Sequence, residues 1–421
     1  MDKRQLVLDA INHRQPKEVP IDFGSTNVSG IHCSVVEKLR EHFGLEKRPV
    51  KVYEPYLSLG LVEPDLADAM GVAVAMTLPL VASFGFPPAD WKEWTTPWGQ
   101  KVLVPGGMNT TVDENGDILA YPMGDTSVPP SGKMPKSGWY FDAITRQEEI
   151  DEDNLNPEDN LEEFTAISEA ALSCLIANGK AAKATGRAVI FSGPGTALGD
   201  IGRVPGFALK HPKGIRAVDE WYISVVARAD YIREVFERQT DRAMVSMKKI
   251  LAAGGNDIFD VVSLCGTDFG TQQSTFCSLD SFNQVYRDCY VRMCDWIHNN
   301  TRWKIFKHSC GAIEPFIETF IDIGFDILNP VQCSAAGMDP AGLKKKYGNR
   351  LVFWGGGVDT QKTLPFGTPD EVKREVLERL RIFSPGGGFV FNAIHCVQAL
   401  TPIPNIVAML DAVKEFNKAG K

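Results

Sequence analysis

The chain has 421 residues, 44% of them hydrophobic and 23% charged, which is enough for one large α/β barrel or for two ordinary domains. Its 44 Lys and Arg stand against 53 Asp and Glu, a formal net charge of -9. No dense basic cluster offsets that balance, so neither a nucleic acid backbone nor an anionic membrane surface is an expected partner.

The opening residues, MDKRQLVLDAINHRQ, are charged from position two and repeat their apolar residues at helical spacing. They lack the apolar core and small-residue cleavage site of a signal peptide, and the expected location is the cytoplasm. Strands are predicted over 19–23 and 72–77, the second after a helical stretch at 63–70. Residues 69–89 carry no charge and are long enough to span a bilayer, but Gly71, Pro79, Gly85, Pro87 and Pro88 would interrupt a spanning helix. The flanks, Asp68 and Asp90, offer no basic anchor, so this stretch reads as buried chain.

Residues 91–140 change character. Gly-Gly, Asn-Gly and Pro punctuate short alternating segments, which predicts a β-meander or set of hairpins inserted after the second strand, over the mouth of the barrel. An acidic connector follows at 148–163. Beyond it, strands predicted at 188–192, 257–264, 303–307, 325–329, 351–355 and 388–393 alternate with helices at 218–251, 279–298, 313–323, 369–383 and 404–416. Eight strands with intervening helices make a (β/α)8 TIM barrel, read as one domain over 1–421 with the 91–140 subdomain inserted. An open doubly wound sheet would carry a Gly-rich phosphate turn after its first strand, and DFGSTNVSG is not of that form.

Nine cysteines are an odd count in a chain without a secretory signal, so thiol or metal roles are favoured over disulfides. Cys174, Cys289 and Cys294 fall within helical patterns and read as small buried apolar residues. The others cluster at strand ends. His308 and Cys310 close one strand, Cys333 follows the next, and Cys396 closes the last, and all four can face one ion because parallel strand ends converge at the barrel mouth. His308 and Cys310, two residues apart, point to the same side while the chain is extended. His395 competes with Cys396, since adjacent strand residues point to opposite faces and only one of them faces the pocket.

In CGTDFGTQQ, residues 265–273, Asp268 is the candidate catalytic residue: it can orient substrate, act as acid or base, or hydrogen-bond a metal ligand. Gln272, with Gln273 beside it, offers a neutral group for substrate binding. The Gly-rich segment 191–206 matches no phosphate-binding fingerprint and reads as a mouth loop. WGGGVD, residues 354–359, permits close backbone approach for a ligand or for packing.

KRQLVLDAINHRQPKEVPIDFG, the HSCG step, DILNPVQ, FWGGGVDT and TPIPNIVAMLDAV together resemble the uroporphyrinogen decarboxylase superfamily over nearly the whole chain. That resemblance implies a (β/α)8 barrel and one of two activities. Its decarboxylases carry an arginine-containing segment after the first strand for a polycarboxylated porphyrinogen, where this chain has DFGSTNVSGIH. Its zinc-dependent methyltransferases carry His-X-Cys and a later Cys, matched in order by His308, Cys310 and Cys396 as metal ligands.

The resemblance to that branch implies a corrinoid-dependent methyltransferase, the demethylase component. It would move a methyl group from a small donor, for instance a methoxylated aromatic, to the cob(I)amide of a separate corrinoid protein, with Zn2+ as Lewis acid. Methyl transfer from a methylcobamide to a thiol and decarboxylation are the alternatives. No Asp-X-His-X-X-Gly corrinoid signature occurs, so the corrinoid is expected on a partner protein. A homo-oligomer is compatible with such a barrel, and the sequence leaves the oligomeric state open.

Overall fold

A computed structural model describes residues 2–420, with all their side chains except that of Cys265. Seven parallel strands form its central sheet: β1 (Val74–Met76), β2 (Ala188–Ser192), β3 (Val261–Cys265), β4 (Lys304–His308), β5 (Ile327–Asn329), β6 (Val352–Trp354) and β7 (Phe389–Val390). Each pairs with its sequence neighbour, the order expected when helical crossovers return the chain to the same sheet. The eighth stave is Ile21, which bridges in parallel to Val72 at one edge and to Phe391 at the other. Pro20 beside it has no N–H to give, which keeps this stave short. The expected (β/α)8 barrel is therefore present.

Period-two alternation sorts the staves. Val74, Ala188, Ile190, Val261, Phe306, Ile327, Val352, Trp354 and Val390 form a cluster inside the ring with Val7, Ala10 and Ile11 of the helix Lys3–Ile11. The intervening Val189, Phe191, Val262, Leu264, Ile305, Leu328, Phe353 and Phe389 join the larger outer core beneath the helices. Burying such a side chain fully contributes about 1.5–3 kcal/mol, so the alternation fixes which face of each strand points inward. One step further along five of the seven strands the inward positions turn polar: Ser192, Ser263, His308, Asn329 and Asn392. That change of chemistry, at the C-terminal rim, makes the floor of the site.

Helix and strand bounds depart from expectation where local geometry intervenes. The 218–251 helix is two, Val218–Ala227 and Ala229–Ala252, separated at Arg228. The strand expected from 257 begins at Val261, because Gly255–Ile258 closes a helical turn first. The predicted hairpins exist at Lys92–Thr95 with Lys101–Val104, and at Thr110–Val112 with Ile118–Ala120 and Gly132–Met134. The first of them also pairs, through Val50↔Val102 in parallel, with Val50–Glu54, a strand that the sequence pattern does not announce. Trp91 packs beside Cys396 and Tyr53, which sets this inserted sheet against the C-terminal rim. Among the described residues no helix is long and apolar enough to cross a membrane.

Candidate metal centre

β4 ends at His308, inward by alternation from Phe306, and the chain then turns through Ser309 and Cys310 to Gly311. Gly311 has φ 90°, and a Cβ there would lie 2.4 Å from the carbonyl carbon and oxygen of Gly270 and 2.6 Å from that of Thr271. Only glycine fits, and the fourth letter of HSCG is thereby explained by backbone packing. Gly356 is comparable: a Cβ would meet Val331 Cβ at 2.8 Å, so the WGGG turn is a packing feature.

Three donors converge above this floor. One ligand atom each from His308, Cys310 and His395 can be chosen so that all lie within 4.8 Å of one another. The His308 and His395 rings meet edge to face with centroids 5.6 Å apart, and Cys310 Sγ lies 3.5 Å from His308 Nε2. Tetrahedral zinc with bonds of about 2.0–2.3 Å separates its donors by about 3.3–3.8 Å, so this cluster needs only a modest contraction to hold such an ion.

The tautomer of His308 follows from its neighbour. Asn329 Nδ2 donates to the Trp354 carbonyl at 2.8 Å, which leaves Asn329 Oδ1 to face His308 Nδ1 at 2.7 Å. An amide oxygen accepts only, so Nδ1 carries the proton and Nε2 presents a lone pair to the cluster. The Cys310 thiol is then the donor in its contact with Nε2. His395 is also a neutral ligand: burial pushes its pKa down to about 4, helped by His308 and opposed by Asp268. Burial, with Asp268 and Cys396 nearby, raises the Cys310 thiol well above its usual range, so a metal would have to displace its proton.

Asp268 stands where a positioning group belongs. Its Oδ1 accepts the Cys310 backbone N–H at 2.7 Å and lies 3.7 Å from His308 Nε2. Gln332 Oε1 similarly accepts the Gly311 N–H at 2.8 Å, a buried contact for which the sequence offered no cue. Gln272 is elsewhere: exposed on its loop, with its carbonyl accepting from Ala336 N and its side chain outside the cavity described below. The thiol of Cys265 lies outside the described residues.

Cys396, expected beside His308 and Cys310, has its thiol donating to the Asn27 carbonyl at 2.8 Å, among Tyr53, Leu59 and Trp91. Burial pushes its pKa up to about 12. Its neighbour His395 occupies the cluster instead. Cys333 is also turned aside, its thiol on the Val331 carbonyl at 3.4 Å. The geometry thus groups two imidazoles and one thiol.

His308 also borders a cavity of about 520 Å³, walled by the 77–83 segment, Phe164 to Ser168 and the 192–209 loop. The Gly-rich segment is therefore a mouth loop, as expected. A barrel with a donor cluster and an organic-sized cavity at its C-terminal rim is an enzyme scaffold with its chemistry at that rim.

Residues 227–416 match the family model of uroporphyrinogen decarboxylase (URO-D). Uroporphyrinogen decarboxylase of Psychromonas ingrahamii is 32% identical over 89 residues, which are 20% of this chain and 24% of that protein. That of Actinobacillus succinogenes is 31% identical over 91 residues, 21% and 25% of the two chains. The matched segment thus spans about a quarter of the length of these curated relatives. A solved methyltransferase from Methanosarcina mazei is similar over 99% of both chains, with a TM-score of 0.55 and 16% identity, a likeness of fold. The family match thus covers a little under half of the chain, and the likeness of fold extends over nearly all of it.

Proposed function

We propose that this protein is a zinc-dependent methyltransferase that takes a methyl group from a small organic donor and passes it to the cob(I)amide of a separate corrinoid protein. The observation that carries the reading is the convergence of His308, Cys310 and His395, with His308 bordering a cavity large enough for a small organic molecule. The donor set fits zinc: two neutral imidazoles and a thiol suit a borderline-soft ion, and three protein ligands leave a fourth position for substrate. The methyltransferase whose fold this chain shares supports the same reading.

When bound, zinc supplies Lewis acidity to the heteroatom that gives up the methyl group. The chain's own residues do the rest. Asn329 keeps the proton of His308 on Nδ1, so that Nε2 stays available, as outer partners of metal-bound histidine do. Asp268 and Gln332 hold the backbone of Cys310 and Gly311, fixing the thiol's direction. The neighbouring walls, with Phe164, Phe207 and Leu80, exclude water from one side of the cavity.

Decarboxylation of a polycarboxylated porphyrinogen suits this cavity less well. Among the described residues bordering it, Arg203 is the single Lys or Arg, and several buried carboxylates would be left uncompensated. Metal analysis of protein purified without a chelating tag tests the proposal first, with about one zinc per chain expected. Methylation of cob(I)alamin, followed by absorbance across a panel of methyl donors, tests it second. Absence of zinc from the native protein together with no transfer from any donor would overturn it.

A further inference from the structure

Arg203 sits on the mouth loop and borders the cavity that His308 also lines. Its side chain is exposed, and among the described residues no hydrogen bond or ion pair engages its guanidinium. Two acids stand near enough to feel its charge, Glu54 and Asp200, yet neither reaches it. Both have other partners. Glu54 is buried with its carboxylate on the backbone N–H groups of Ser83 at 3.1 Å and Tyr56 at 3.2 Å. Asp200 accepts from Gly202 N at 2.9 Å. The two carboxylates are held by backbone donors, and the five N–H donors of Arg203 remain free for something that enters the cavity.

We infer that the substrate carries a single carboxylate and that Arg203 receives it, which makes Arg203 a specificity-determining residue. A guanidinium fork matches a carboxylate in two parallel hydrogen bonds, and the partly enclosed wall strengthens them. One cation answers one charge, so a monocarboxylate fits where a polyanion does not. The rest of the wall pairs Phe164 and Phe207 with Ser192 and Thr77, an amphipathic surface suited to a small organic acid. This inference rests on the proposed methyl-donor cavity, and it narrows the donor to a methylated monocarboxylic acid.

The test uses the full-length protein as purified, with calorimetric titration of matched pairs: 3-methoxybenzoate against 3-methoxybenzamide, and methoxyacetate against methoxyacetamide. At least one acid is expected to bind about 10- to 100-fold more tightly than its amide, the worth of a charge-assisted hydrogen-bond pair. Arg203→Gln removes that preference, and Arg203→Lys restores part of it. Since the side chain is exposed, neither change leaves a cavity in the core. The inference is overturned if no acid in the panel outbinds its amide, or if Arg203→Gln keeps the preference. Zinc content and methyl transfer report separately on the proposed activity, so an acid preference without zinc would sink that activity and leave the carboxylate site standing.

Discussion

Asn329 is the residue on which the protonation state of the candidate metal centre turns, and replacing it isolates that role. Asn329→Leu keeps the branched heavy-atom framework while removing two buried hydrogen bonds, 2.7 Å to His308 Nδ1 and 2.8 Å to the Trp354 carbonyl. Each bond contributes about 0.5–1.5 kcal/mol, and each orphaned partner adds a desolvation cost, so unfolding should become easier by about 2–4 kcal/mol. Without the accepting oxygen, His308 is free to place its proton on Nε2, where it blocks the ligand lone pair. Zinc affinity should fall by about 10- to 100-fold, the usual cost of losing an outer partner of a metal-bound histidine. Asn329→Asp supplies the control: its oxygen still accepts from Nδ1, so zinc affinity should hold even though the Trp354 contact is lost. Competition against a chromophoric chelator measures the affinities, and nitrogen NMR of the metal-free protein reads the tautomer directly. Tight zinc binding by Asn329→Leu, or an Nε2-protonated His308 in the native protein, would refute the reasoning.

Cys310→Ser and His395→Ala should each lower zinc content to well below half an equivalent, whereas Cys396→Ser should retain it, because that thiol is turned to the Asn27 carbonyl; elemental analysis of the three variants decides. Gly311→Ala would drive a Cβ into the Gly270 backbone at 2.4 Å from a left-handed conformation, and thermal unfolding should show a loss of about 2–4 kcal/mol with zinc loss in parallel. His298 bonds Asp326 at 2.9 Å; that bond raises the imidazole pKa above 6.5, while Asp326, despite burial, is held below 3.8 by His298, Lys304 and the Ile305 N–H. The raised histidine stabilises fully below pH 6.5 and loses its contribution as pH climbs through its folded value; the depressed aspartate stabilises above pH 3.8 and loses its contribution as pH falls through its own. The difference in melting temperature between native protein and His298→Gln should therefore be greatest near pH 5 and shrink by pH 8. A gap independent of pH would show that the pair does not titrate as described. The effect should be small, because His298 is half-exposed.

The barrel was legible because its information is local and repeated. Short β-branched and aromatic runs such as 188–192 and 303–307, spaced by amphipathic helices, allow little but a parallel ring, and alternation from Phe306 already put His308 inside it. The strand Val50–Glu54 is not legible in the sequence because its partner, Lys101–Val104, lies about fifty residues downstream and its own pattern is short. Long-range pairing leaves a weak trace in either segment alone.

The sequence by itself determined the fold, the strand ends that carry soft donors, and the His308–Cys310 pair, since period-two geometry and burial act on neighbouring residues. The third donor was decided by tertiary structure. Counting in twos from Val390 would bring 392, 394 and 396 inward, and Cys396 with them. β7, however, ends at Val390, the Ile21 stave holds Phe391, and the chain bends at Ile394 and His395, with Ile394 N bonded to the Val358 carbonyl. Once the strand ends its alternation no longer binds the side chains, and packing against the inserted sheet takes the Cys396 thiol to Asn27 while His395 enters the cluster. Which of two adjacent side chains joins the donor cluster depends on where a strand stops, and contacts more than three hundred residues away set that point.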